Sequence, residues 1–170
     1  MRKLQILKTC LDFLYFFGII ALAGMSIFVI MALLGESDLP VKVRGQEIVI
    51  GDWMTKILLV FLVASGAVFL YAIMLLRRTL GFFKKREIFH PQVAVNFNRI
   101  GWCIVASALL TGVPMLIHNA VHREPTGFEI SAGLGMDSFL MSIALGLLFM
   151  VISEAFNIGA RLKDENELTI

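Results

Sequence analysis

His118 and His122 stand four residues apart, so on a helix both imidazoles leave the same face about one turn from each other. That spacing can ligate a metal, and Glu124 and Glu129 follow closely enough in sequence to be weighed as further ligands. The remaining histidine, His90, falls on the other side of an intervening apolar stretch. A haem held by histidines from two helices therefore lacks its second axial ligand, and a zinc site would need carboxylates to complete its coordination. Interfacial histidines commonly have no ligand. The expectation is no metal and no cofactor, with His118 and His122 as the residues that would carry one.

Glu154 is the other residue whose setting suggests chemistry. It lies in a segment read below as the fourth membrane span, roughly one helical turn inside its boundary, where a carboxylate is costly unless paired, protonated or solvated. Three readings stand. Glu154 could carry protons or cations. It could pair with Arg99 at the start of the preceding apolar stretch, or with Arg161, seven residues on and on the same helix face. Long arginine side chains can bend to reach such a partner. Asp12 invites the same reading with Arg77 or Arg78. Paired catalytic carboxylates, a nucleophile with its base and a glycine-rich phosphate loop are not evident, and Ser153 has no partner that would activate it. Cys10 and Cys103 lack a pairing motif, so neither a structural disulfide nor a cysteine metal site is expected. A non-enzymatic protein follows as the expectation.

The elements that must hold these residues are four apolar stretches, Leu11–Leu34, Ile57–Leu76, Ile100–Ile117 and Phe139–Ala155. Each approaches the roughly 20 residues an α-helix needs to cross about 30 Å of hydrocarbon. Lipid admits such a segment as a helix because a helix satisfies its backbone polar groups internally. The chain of 170 residues is 58% hydrophobic and 16% charged, with mean hydropathy +0.85; a soluble domain carries roughly 25% charge. The reading is an all-α integral membrane protein: an antiparallel bundle of four transmembrane helices forming a single domain over residues 1–170, with spans at about 11–34, 57–76, 100–117 and 138–158.

Charge orients the bundle. Arg2, Lys3, Lys8, Arg77, Arg78, Lys84, Lys85, Arg86, Arg99, Arg161 and Lys163 fall on one side, and Lys42, Arg44, Lys56 and Arg123 on the other: eleven against four. The excess of basic residues marks the cytoplasmic side, so both termini are expected inside. Trp53 and Trp102 then sit near opposite interfaces. A cleaved signal peptide competes for the N-terminus, since Arg2-Lys3, an apolar run and Ala21-Leu22-Ala23 imitate its three regions. Met25–Leu34 continues just as apolar beyond the cut, which favours a retained helix.

The links carry patterns of their own. Val41–Arg44 and Glu47–Ile50 alternate around Gly45-Gln46, as in a two-residue hairpin with glycine first. Phe128-Glu129-Ile130 could add a third strand, giving a small external cap across both outer links. In the inner link, Gly81 should end or loosen the second helix, and Phe82-Phe83-Lys84-Lys85-Arg86 suits an acidic leaflet. Pro91 should open the third helix, which begins with amphipathic Gln92–Asn98, and Pro114 should bend it. Asp137 or Ser138 should cap the fourth. Small residues at helix-packing spacing are Ala108 with Gly112 and Ser142 with Gly146, while Gly18, Gly24 and Gly66 offer further close approaches.

Two patches carry a resemblance. Ile88-Phe89-His90-Pro91 with Asn96-Phe97-Asn98-Arg99-Ile100-Gly101-Trp102 resembles a stretch in which a Phe and a helix cap precede an R-x-I-G-W start of a membrane helix. The tail from Glu154 to Ile170 resembles the ending A-E-x-F-x-x-G-x-x-L-x-x-E-x-x-L-T-V of a bacterial family of unknown function, the one numbered twenty-nine seventy-five; here Asn157-Ile158 replaces a basic pair often seen before the glycine. The resemblance implies a small four-helix membrane protein. Family members are often encoded beside a small helix-turn-helix DNA-binding protein, which implies a regulator as partner. The functional expectation is thus a regulatory or sensory membrane partner of that cytoplasmic regulator. Docking is expected through Phe89, Pro91 and Asn98 at the start of span three and Glu165 and Leu168 in the tail, without direct nucleic-acid binding by this chain. The alternative is a small transporter or channel subunit working as a homo-oligomer.

Overall fold

The computed structural model describes residues 2–34, 40–43, 46–49, 53–84, 90–122 and 135–168, with side chains over 4–34, 53–84, 90–117 and 139–165. Among these residues are four helices: α1 Arg2–Leu34, α2 Trp53–Lys84, α3 Pro91–His122 and α4 Gly135–Leu168. Each contains a segment long and apolar enough to cross a membrane. The protein is a multi-pass membrane protein. At 1.5 Å per residue, helices of 32 to 34 residues run about 50 Å, so each extends well past a hydrocarbon layer of about 30 Å.

The helix ends lie further out than the apolar stretches do. α2 passes through Gly81 to Lys84, since Leu80 is buried and Phe82 and Phe83 pack on the core beyond it. α4 begins at Gly135, ahead of the expected cap at Asp137 or Ser138. α3 opens on Pro91 as expected and continues through Pro114 to His122. The helix start at Pro91 is closed by His90, whose Nδ1 accepts a hydrogen bond from the Gln92 backbone N–H at 3.1 Å and whose carbonyl accepts one from Val93 at 2.8 Å. A histidine here takes the place of the usual Ser or Asp cap. Its ring stacks on Phe82 with centroids 5.1 Å apart.

In the first link, β1 Pro40–Val43 pairs antiparallel with β2 Gln46–Val49, with Val41 opposite Ile48 and Lys42 opposite Glu47. Val43 stands opposite Gln46, whereas a turn at Gly45-Gln46, where the alternation placed it, would set Arg44 opposite Glu47. Moving a two-residue turn by one position slides the pairing by two. Every residue keeps its face, so alternation alone cannot separate the two registers. The third strand considered at Phe128-Glu129-Ile130 lies outside the described residues.

Successive helices run antiparallel and pack in chain order, α1 on α2, α2 on α3 and α3 on α4. Between α1 and α2, Val29 and Ala32 pack with Leu59 at one end, and Leu11 with Ile73 and Leu80 at the other. Gly18 takes the side chain of Leu70, and Gly66 that of Leu22. Gly24, expected to be another close approach, has nothing within 4 Å of where a Cβ would stand. The largest cluster joins α2, α3 and α4 through Ala72, Leu75, Val93, Phe97, Ile100 and Ile104, with Phe149, Ile152 and Phe156 against it. The core is thus concentrated towards the end that gathers the start of α1, the end of α2, the start of α3 and the end of α4. That end also holds the basic excess, and is called the basic end below.

Candidate functional site

At the basic end the first contact to consider is an ion pair. Arg77 Nε donates to Asp12 Oδ1 at 2.6 Å, and the guanidinium lies over the Tyr15 ring, 4.7 Å from its centroid. α1 supplies Asp12 and Tyr15 three residues apart, one turn of one face, and α2 presents Arg77 along the stripe that already carries Leu70 and Ile73 against α1. The two side chains keep 33% and 40% of their exposure, so the pair is partly solvated and its coupling is modest. In a double-mutant cycle of Asp12→Ala and Arg77→Ala, read by unfolding in mixed detergent micelles, we expect a coupling of about 0.5–1 kcal/mol. Strictly additive single changes would show that the contact fastens nothing.

A deeper set of contacts joins the other three helices. Phe97, 7% exposed, stacks on Phe156 with centroids 5.3 Å apart and on Phe149 at 5.9 Å, and meets Phe83 at 6.3 Å. Phe83 also meets Phe156 at 5.8 Å. Beside this cluster, buried Ser153 Oγ donates to the Ala94 carbonyl at 2.7 Å, tying the middle of α4 to the start of α3. Asn96, 5% exposed, accepts from Gln92 Nε2 at 3.3 Å.

A third polar group lies nearer the middle of the helices. Ser65 of α2 shares hydrogen bonds with Ser107 Oγ at 3.0 Å and Thr111 Oγ1 at 2.6 Å, and donates to the Ser107 carbonyl at 3.0 Å; Ser107 Oγ donates back to the Ser65 carbonyl at 3.2 Å. Such hydroxyls fasten helices where the surrounding lipid offers no water. Sequence reasoning passed over this group. Its signal was present in Ser107 and Thr111, four residues apart within an apolar stretch, and in Ser65 at the middle of another.

Asp12 meets Arg77, one of the two partners weighed for it. Glu154, Arg99 and Arg161 are all exposed, and no ion pair joins them among the described residues. The register explains the separation of Glu154 from Arg99. Ser153 is level with Ala94, and Gly146 with Gly101, so Arg99 is level with α4 residues between Gly146 and Ser153, offset from Glu154 by roughly 9 Å along the axis. The two residues occupy similar positions relative to the ends of their apolar stretches but different depths in the fold. Pro91 and Asn98 are exposed at the start of α3, and Glu165 is exposed on α4. Leu168 closes α4, its side chain outside the described residues. Phe89 lies outside them too, as do the side chains of His118 and His122 on the last turns of α3. Among the described residues no three His, Cys, Asp or Glu side chains gather as metal ligands do.

The family described as "Protein of unknown function (DUF2975)" matches residues 39–170. The chain belongs to this family. The resemblance read from the start of span three and from the tail is therefore shown, and the DUF2975 match takes in α2, α3 and α4 together with both of those patches. It begins after α1, the helix that packs on α2 at the edge of the arrangement. The three helices gathered around Phe97 are thus the part of this DUF2975 protein that the family description covers. No curated protein and no solved structure matches the chain.

Proposed function

We propose that this DUF2975 protein is a non-enzymatic regulatory or sensory protein of a bacterial cytoplasmic membrane, and that its basic end docks a small helix-turn-helix DNA-binding regulator. Eleven of its fifteen basic residues belong to the basic end, which supports a cytoplasmic placement of that end and of both termini. The β1–β2 ladder then stands outside as a small cap. The observation that carries the docking reading is the bond from Ser153 to Ala94. It fixes α4 at Ser153 beside the start of α3, so the patch at the start of span three meets the tail patch where the latter begins, although more than fifty residues separate them. From there α4 continues as a helix past the start of α3 to Leu168, carrying Lys163, Asp164 and Glu165 on exposed positions, while Pro91 and Asn98 are exposed on α3 itself. A regulator held there has a lower free concentration in the cytoplasm. An external or lipid-borne signal acts through its differential affinity for two states of the helices.

Deleting Glu165–Ile170 tests the reading. The probe is a small helix-turn-helix regulator of the kind the family resemblance implies as partner, captured by detergent-solubilised full-length and truncated chains. We expect capture to fall at least about tenfold, the loss of roughly 1.4 kcal/mol or more of docking energy, while the unfolding transition stays where it was. A truncated chain that folds and captures the regulator as well as the full chain would overturn the docking role. A second reading, a small transporter or channel subunit working as an oligomer, rests on Glu154, an exposed carboxylate on an apolar helix. Its signature is cation flux into vesicles that disappears in Glu154→Gln.

A further inference from the structure

Arg78 and Arg99 are exposed on the outside of the helix pair α2–α3, and neither enters a hydrogen bond or ion pair among the described residues. Their neighbour Arg77, by contrast, is neutralised by Asp12. The register brings the two together. Ser65 lies opposite Ser107 and Phe83 opposite Phe97, so Arg78, between Ser65 and Phe83, is level with the turn that follows Phe97 and holds Arg99. The helical sense then puts them on the same side. Arg78 is one residue past Arg77 and turns about 100° away from the face that meets α1. Arg99 is one residue before Ile100, which packs on α2, and two before Gly101, which packs on α4, so it turns about 100° and 160° from those faces. With α2 and α3 both right-handed and running in opposite directions, α1 and α4 cover one side of the pair and both arginines emerge from the other.

On the flank between Ile100 and Arg99 sits Asn96, buried to 5% exposure. Its Oδ1 is taken by Gln92, and its Nδ2 donors have no partner among the described residues. Beyond these groups the same face is apolar and aromatic, with Tyr71, Val95 and Trp102 exposed on it. Two guanidiniums and a buried amide donor at the edge of a lipid-facing surface call for an anion that arrives with hydrocarbon attached. A phosphate diester accepts bidentate hydrogen bonds from guanidinium, and arginine is less strongly hydrated than lysine, which suits it to such a half-dry position.

We propose that Arg78, Arg99 and Asn96 form a binding site for the phosphate of an anionic phospholipid, whose acyl chains lie along the exposed face of α3. The site is independent of the regulator-docking reading. Trp102, one turn beyond Arg99 on α3, reports on it directly. In the full-length chain carrying Trp53→Phe, Trp102 is the remaining tryptophan, and its quenching by brominated lipids measures which lipid occupies the adjoining surface. We expect brominated phosphatidylglycerol to outcompete brominated phosphatidylcholine at Trp102 by about fivefold or more, the attraction of one or two basic side chains for an anionic leaflet, and the preference to shrink as salt is raised. Arg78→Gln with Arg99→Gln should bring the ratio to about one, Arg78→Lys with Arg99→Lys should keep part of it, and Arg161→Gln on α4 should leave it unchanged. A ratio near one in the parent overturns the site, and that measurement holds even if the glutamine variant fails to fold. So does a preference that survives the glutamine pair in a protein melting like the parent. A fall in Arg161→Gln equal to that in Arg78→Gln would show attraction by the whole charged end and no site.

Discussion

Replacing Gly101 by valine is expected to separate α3 from α4, costing about 2–3 kcal/mol, the upper part of the usual range for overpacking. A Cβ at Gly101 would stand 2.6 Å from the carbonyl oxygen of Gly146 and 2.7 Å from Met150 Cγ, with the Met150 backbone nitrogen at 3.2 Å. Two of these three obstacles are backbone atoms, so relief requires the helices themselves to move apart. Gly146 faces the same constraint from the other side, where a Cβ would meet Val105 Cγ2 at 2.6 Å and the Gly101 oxygen at 2.9 Å. In lipid, where apolar burial between helices offers little drive, close approach of backbones is much of what holds a pair together. Gly81→Ala is the control: nothing lies within 4 Å of its Cβ position, and the change should stabilise α2 by about 0.5–1 kcal/mol through helix propensity alone. Unfolding in mixed micelles with sodium dodecyl sulfate distinguishes the two. If Gly101→Val unfolds at the parent's detergent fraction, α3 and α4 do not cross where the structure puts them.

Removing the ring of Phe97 should be nearly as damaging, at about 2–3 kcal/mol for Phe97→Ala. Phe→Ala in a water-soluble core costs about 3–5 kcal/mol, part of it transfer free energy and part the cavity left behind. The transfer part weakens in a lipid setting, while the lost contacts do not, because three rings from α2 and α4 pack on Phe97. Phe97→Leu should recover about half of the loss. Phe149→Ala, whose ring is only partly buried, should cost less than Phe97→Ala. The same micelle titration checks the order. Equal costs for Phe97→Ala and Phe149→Ala would mean that α2, α3 and α4 are not joined through this ring.

The presence and order of the four helices could be read from the chain because lipid imposes a length and an apolar composition, and both are properties of consecutive residues. The packing faces could not be read in this way. In a soluble protein the buried face of a helix is apolar and the exposed one polar, so periodicity marks it. Here lipid is as apolar as the core: Phe16 and Phe17 are exposed on α1 while Val29 on the same helix is buried, and nothing in their chemistry distinguishes them. Asp12 with Arg77 was legible because the few charges among apolar residues narrow the choice of partner. Glu154 with Arg99 failed by the same reasoning, since distance from the end of an apolar stretch does not give depth until the register is known. The register depends on where the glycines sit, and Gly101, which sets the α3–α4 crossing, was read as part of a family patch and not, like Gly112 and Gly146, as a packing residue. The tail and the start of α3 were legible as patches; the Ser153 bond that brings them together was not, because a serine donating to a carbonyl of another helix leaves no mark in either segment.

The packing of each helix on the one before it has a bearing on how the chain is made. Of the four helices synthesis releases α1 before α2, so the partner surface of α1 is the next of them to emerge. The glycine notch of α1 can therefore receive Leu70, and Asp12 can take Arg77, before α3 has left the ribosome. α3 then finds α2 waiting with Ser65, and α4 finds Gly101. No helix needs to be stored alone in lipid until a distant partner appears, and contacts of short separation form quickly. Assembly can thus proceed from α1 to α4 as a series of hairpins, and α4, with the tail that follows it, is the last of the four to dock.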